Sequence, residues 1–137
     1  DKSLALKEAL KYLNTNGTLM IIYCLNDYAI LKHGFIDGNI IREKDNLNDC
    51  YLIKDKEDNL YSFDTLESID KLNKECHLKR IKIISQEGMS EYIRPILNKM
   101  SEEEFKMYMD FHLKRCENYE YLGLSRHVLD IVKTTRN

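Results

Sequence analysis

The chain has no tryptophan, a single proline and five glycines, and no two of its four cysteines stand as Cys-x-x-Cys. Cys24, Cys50, Cys76 and Cys116 lie far apart. That spacing excludes a zinc ribbon and a thioredoxin-type motif, and it makes buried or partly buried free thiols the expectation. No run approaches the roughly 18 apolar residues of a membrane span, and no charged-then-apolar signal segment is present. A reducing cytoplasm and no membrane partner are therefore expected. A basic excess is missing too: 32% of residues are charged, yet the net charge is -2. Nothing in that balance neutralises phosphates, so no nucleic-acid partner is expected. The Gly-x-Ser-x-Gly elbow, the Gly-x-x-x-x-Gly-Lys loop and the His-Glu-x-x-His pair are also absent, which removes the common hydrolase, nucleotide-triphosphatase and zinc-protease chemistries. Internal repeats, low-complexity tracts and linker-like composition breaks do not occur.

What is present is enough for one modest domain over residues 1–137, with 43% apolar residues to build a core. Its organising stretch is Gly17-Thr18-Leu19-Met20-Ile21-Ile22-Tyr23-Cys24, a continuous apolar run that ends at polar Asn26-Asp27. Such a run reads as a strand covered on both faces, the pattern of a parallel or mixed α/β sheet. Before it, Leu6, Ala9, Leu10 and Leu13 recur at helical spacing opposite Lys7, Glu8 and Lys11. Asn16 and Gly17, which tolerate the left-handed conformation, are expected to close that helix.

After the strand, Tyr28 to Phe35 make a short helical pattern stopped near Gly34. Residues 36–58 form a weakly patterned insertion, read either as a lid over the site beside the strand or as a helical decoration. Asp55-Lys56-Glu57-Asp58 reads as a solvated turn, and Leu60-Tyr61-Ser62-Phe63 as a brief extended piece. Asp64, with Glu67 three residues on, is expected to cap a helix reaching His77 that faces inward through Leu66, Ile69, Leu72 and Cys76. A second strand follows near 79–85, with Ile81 and Ile83 on one face and Arg80 and Lys82 on the watery one. Pro95 starts a new helical turn or breaks the one before it. Ser101-Glu102-Glu103-Glu104 is a capping box, not a catalytic carboxylate group. The helix it opens carries Phe105, Tyr108, Met109, His112 and Cys116 along one stripe, which is expected to face the core. A third strand is expected near 127–133, completing a three-stranded mixed sheet with flanking helices.

This order resembles the C-terminal half of a class I S-adenosylmethionine-dependent methyltransferase, within a bacterial subgroup of small-molecule type. The stretch Ala5 to Leu19 is similar to the family's approach to its fifth strand, with Asn14-Thr15-Asn16-Gly17 in place of the usual Lys-Pro-Gly-Gly. Gln86 to Pro95, Phe111-His112-Leu113 and Ser125 to Val132 resemble the tail of that subgroup. The resemblance implies a partial Rossmann-like fold in which the His127 to Val132 strand lies between the other two, antiparallel to both. It also implies a methyl acceptor that is a small molecule, covered by a helical excursion over 89–118. The family's Gly-rich turn has no counterpart here, since Gly34, Gly38, Gly88 and Gly123 are dispersed. No cofactor-binding residue is carried over, and the chain, opening on Asp1, reads as a C-terminal piece whose missing N-terminal half holds S-adenosylmethionine. The other edge of the first strand would then be exposed and prone to pair with a second copy.

Methyl transfer by in-line displacement asks the protein to align two groups and remove a proton where needed. Tyr23 is read as a pocket residue or a buried structural tyrosine. Tyr92 and Arg94 fall in the acceptor-side excursion, where Arg94 either pairs with an anionic substrate group or makes a surface salt bridge. His112 is the general-base candidate, or else a hydrogen-bonded core histidine; with Cys116 at i+4 it supplies only two metal ligands. His127, at the entrance to the last strand, is a second candidate or structural. His33 and His77 suggest capping or dipole pairing. Against the enzyme stands a non-enzymatic α+β binding or assembly module, complete as given, using its strand edge and its nine tyrosines.

Overall fold

The computed structural model describes residues 2–56 and 61–135. Among these, a mixed sheet of four strands runs in the order β2-β1-β4-β3. The strands are β1 (Leu19–Leu25), β2 (Phe63–Asp64), β3 (Leu78–Ser85) and β4 (His127–Thr134). Four strands replace the three expected. The extra one is the two-residue β2, which lies parallel to β1 and pairs Cys24 with Phe63 and Leu25 with Asp64. Two residues carry no readable alternation, so only a brief extended piece was legible there. Leu60, at the start of that piece, and Glu57-Asp58 of the expected turn lie outside the described residues. The other three strands fall within one residue of their expected bounds, and β4 is antiparallel to both β1 and β3.

Helices α1 (Lys2–Leu10) and α4 (Leu66–Glu75), with the short α7 (Tyr119–Leu122), pack on one face of this sheet. Ile69 and Leu72 of α4 and Leu122 of α7 meet Tyr23, Leu25 and Val128, while Leu6 of α1 meets Cys76, Leu78 and Val132. Burying one such aliphatic side chain contributes about 1.5–3 kcal/mol. The other face carries the alternate residues, and there Met20 is 65% and Ile22 60% exposed. β1 is therefore covered on one face, not two. An apolar run records what each residue is, and burial also requires an element to lie over it.

α1 stops at Leu10, and neither Asn16 nor Gly17 takes a positive φ. The chain turns instead through Gly17 N–H donating to Asn14 O at 2.7 Å. The left-handed closure falls after α4, at His77 with φ 54°. α4 is capped by Thr65 and not by Asp64: Thr65 Oγ1 accepts from Ser68 N, and Thr65 N donates to Ser68 Oγ, each at 3.0 Å. Asp64 instead accepts from Lys2 Nζ at 2.8 Å and Ser68 Oγ at 2.9 Å, tying α1 to the start of α4.

β3 carries a bulge between Arg80 and Lys82, which sends these two side chains to opposite faces and leaves Ile81 53% exposed. The expected alternation breaks at that extra residue. Arg80 turns to the covered face, where its Nε and Nη2 donate to fully buried Asp130 at 2.7 and 2.9 Å. Asn73 of α4 donates to the same carboxylate at 2.7 Å, and Arg80 Nη1 reaches Asp70 at 2.5 Å. A buried charge is thus fully paired and fastens α4 to the sheet.

The Ser101 capping box forms, with Glu104 N donating to Ser101 Oγ at 3.3 Å and Ser101 N to Glu104 Oε2 at 2.7 Å. It opens α6 (Glu102–Arg115). Of its expected core stripe only His112 and Cys116 are buried and Tyr108 half-buried, while Phe105 and Met109 are exposed. α6 meets the body through its C-terminal half. Pro95 stands in the first turn of the short α5 (Arg94–Leu97), as its missing N–H favours.

Candidate functional site

β1 ends at Leu25, and the next side chain organises everything beyond it. Asn26 is buried; its Oδ1 accepts from Ile53 N at 2.9 Å and its Nδ2 donates to Tyr51 O at 3.1 Å. One amide thus pins the 36–58 insertion to the end of the central strand. The chain leaves Asn26 through α2 (Asn26–Tyr28) into a π-helix, Ala29–Ile36, which Asp37 N closes onto Lys32 O at 2.9 Å. The widened turns of π-helices recur at functional sites. Across from it lie α3 (Ile40–Glu43), a 3₁₀ turn (Lys44–Asn46) and a bridge between Leu47 and Ile53. Between the two sits a cavity of about 250 Å³, walled by Ile30, Ile40, Leu47, Ile53 and Phe63. The insertion therefore roofs a cavity beside the end of β1.

On the other side of Tyr28 the aromatic rings gather. Tyr28 is buried, with its ring edge-on to Tyr92 at 5.4 Å and to His33 at 5.7 Å. Burial, with the nearby charges of Tyr28 and Asp27, pushes the Tyr92 hydroxyl up to about 12. That hydroxyl has no hydrogen-bond partner among the described residues. Arg94 is exposed and ion-paired with Glu91 three residues earlier, the surface salt bridge among its two readings.

His127 is held more tightly. Its Nδ1 meets Glu87 Oε1 at 2.5 Å, and its backbone N–H donates to Glu87 Oε2 at 3.0 Å. Ser125 Oγ donates to the same oxygen at 3.1 Å and accepts from Gly88 N at 3.1 Å. Gly88 needs its φ of 56° for this turn, and the Tyr121 hydroxyl fills the space where a Cβ would stand. With Nδ1 engaged by a carboxylate, Nε2 is left to accept or deliver a proton. Cys24 faces His127 across the β1–β4 ladder. Leu25 N donates to Arg126 O at 2.9 Å, so Cys24 and His127 form the non-hydrogen-bonded pair, in which side chains stand closer. Burial raises the Cys24 thiol and Arg126 partly offsets it.

His112 and Tyr23 do not join this group. His112 is buried on α6 with its Nδ1 3.4 Å from the Tyr121 hydroxyl, a packed position. No cluster of three or more metal-ligating side chains occurs among the described residues, so His112 and Cys116 remain a pair. Tyr23 points into the covered core. Burial, reinforced by the Asp130 and Asp64 charges, raises its hydroxyl far above the ordinary phenol range, and that hydroxyl lacks a hydrogen-bond partner among the described residues. None of Tyr92, Arg94, His112 and His127 lines the cavity under the insertion.

Sequence reasoning named Tyr92 and His127 but missed the residues that place them. Glu87 and Ser125 were part of the strings quoted above, and a carboxylate two residues beyond a strand end was the available signal. The Tyr28–Tyr92 contact left no signal in either local pattern. No family model matches the chain, and no curated protein matches it.

Proposed function

We propose that this chain is the C-terminal, acceptor-side portion of an S-adenosylmethionine-dependent methyltransferase acting on a small molecule. The observation that carries the reading is the strand order β1-β4-β3 with β4 antiparallel to both neighbours, as the resemblance implies for a partial Rossmann-like sheet. The roofed cavity beyond β1 supports it, because ligands of open α/β sheets bind outside the carboxyl ends of their strands. Fold alone is a weak warrant for function, so the site has to carry the rest.

These residues do not fit S-adenosylmethionine by themselves. The end of β1 is followed by Asn26, whose side chain is spent on Tyr51 and Ile53, and no Gly-rich turn there lets backbone amides approach a ligand. In this reading the cofactor's site belongs to an N-terminal half, and this chain alone is expected to be inactive. Within the reading, Tyr92 and Arg94 stand on the acceptor side. His112, packed against Tyr121, and His127, oriented by Glu87, are the two proton-acceptor candidates of this reading, and the Glu87 contact favours His127. The four free cysteines suit a cytoplasmic location.

The test is the coding sequence upstream of Asp1. A strand followed by a Gly-rich turn, with an acidic residue about twenty positions on, is expected. A start codon directly before Asp1, or methyl transfer by residues 1–137 alone, overturns the reading. Favouring the second reading, a non-enzymatic α+β binding or assembly module, are the open sheet face at Met20 and Ile22 and the β1 edge that β2 pairs only at Cys24 and Leu25. Through that edge we also propose a homodimer.

A further inference from the structure

We propose that the cavity between the π-helix and the insertion binds a small carboxylic acid with an apolar body, held by Lys54 and Lys56. Its walls set the first half of the specificity. Ile30, Ile40, Leu47, Ile53 and Phe63 give apolar walls to a cavity of about 250 Å³, a volume suited to an aromatic ring or a branched aliphatic chain.

The charges on the lining set the other half. Lys54 Nζ donates to the backbone carbonyl of Asp45 at 3.1 Å, and Lys56 Nζ donates to Asn46 Oδ1. Neither ammonium makes a salt bridge with a carboxylate among the described residues. Glu43, the one carboxylate among the described lining residues, accepts from Asn46 Nδ2 at 2.8 Å and Arg42 Nε at 3.0 Å, and the Lys56 charge also acts on it. His33 is taken up by Asp37, its Nδ1 3.2 Å from Oδ2. Two cations whose hydrogen bonds among the described residues go to neutral acceptors, beside an apolar chamber, are complementary to one anionic head on an apolar body. Each ammonium has donors to spare, since a lysine carries three and the structure uses one. A carboxylate gains two charge-assisted hydrogen bonds there. Calling this ligand the methyl acceptor rests on the methyltransferase reading; its binding does not.

The experiment titrates the full chain with benzoate, 3-phenylpropanoate and 4-methylpentanoate, and with the three corresponding neutral amides, following backbone amide resonances. Saturable shifts confined to Ala29–Gly34 and the segment 47–56 are expected, with each acid at least about tenfold tighter than its amide. The K54Q/K56Q variant, altered only at exposed side chains, is expected to bind acid and amide equally while melting at the same temperature. Absence of saturable shifts with all three acids, equal binding of acids and amides by the unaltered chain, or an acid preference that survives K54Q/K56Q each overturns the proposal. Binding as described, joined to a full-length protein that transfers no methyl group, keeps the site and removes the methyltransferase reading.

Discussion

At the scale of single residues, the chain spends polar groups unevenly. Asp130 is fully buried and fully satisfied, whereas the hydroxyls of Tyr23 and Tyr92 are buried without hydrogen-bond partners among the described residues. These two situations predict opposite responses to deletion. Asp130→Ala leaves the Asn73 amide without its acceptor on the covered face and the Arg80 guanidinium with Asp70 alone, so a loss of about 1–3 kcal/mol is expected, read as a lowered urea midpoint. Tyr92→Phe removes an unsatisfied group, so stability at pH 7 should change by less than about 1 kcal/mol. Its signature lies in alkali. The Tyr92 hydroxyl titrates near 12 when folded against 10.0 ordinarily, so the folded state keeps a proton that the unfolded chain releases. The stabilisation is full below pH 10 and is lost as pH rises to about 12. Denaturation midpoints of the parent should therefore fall more steeply across that window than those of Tyr92→Phe. Equal slopes would show that the ring is solvated.

At the scale of elements, each misreading of the sequence has a local physical cause. Asp64 and Thr65 are adjacent residues that both cap helices, and composition does not rank them; the tertiary contact with Lys2 takes Asp64 away and leaves the cap to Thr65. Thr65→Ala should accordingly cost about 1 kcal/mol, and Glu67→Ala much less, in parallel thermal melts. The β3 bulge was invisible because Arg80 and Lys82 alternate as an unbroken strand would; only the buried Asp130 on the neighbouring strand explains why Arg80 turns inward. The β-strand positions, the Ser101 capping box and the turn starting at Pro95 were legible because each depends on residues within a few positions of one another. The cavity was not, because it exists through Asn26 binding residues 25 and 27 positions away. The first strand's exposed side is testable at the same scale. The ladder to β4 uses the backbone groups of Leu25 and its alternates, which turns those of Met20 and Ile22 to the open edge. Ile22→Lys places a charge on that edge and face, where the side chain is already 60% exposed. It should abolish any self-association in sedimentation while moving stability by no more than about 0.5 kcal/mol.

At the scale of the whole molecule, the sheet is graded from a fixed centre to open margins, and this grading decides where a missing partner would be felt. β4 is hydrogen-bonded on both sides, to β1 and to β3, and it carries Val128, Asp130 and Val132 at the centre of the core. Among the described residues β1 has a second neighbour for only two residues, and α6 holds the body only through its C-terminal half. Local opening costs least where buried contacts are fewest, and it approaches global unfolding where they are densest. Amide exchange in the isolated chain should thus be slowest along β4, faster at Met20 and Ile22, and fast through the first turns of α6. The methyltransferase reading and the module reading then separate. If an N-terminal half completes the sheet, its addition pairs the β1 edge, and protection at Met20 and Ile22 rises toward that of β4. If the chain works alone as a module, the upstream sequence leaves both amides as fast as before, and only a protein partner slows them.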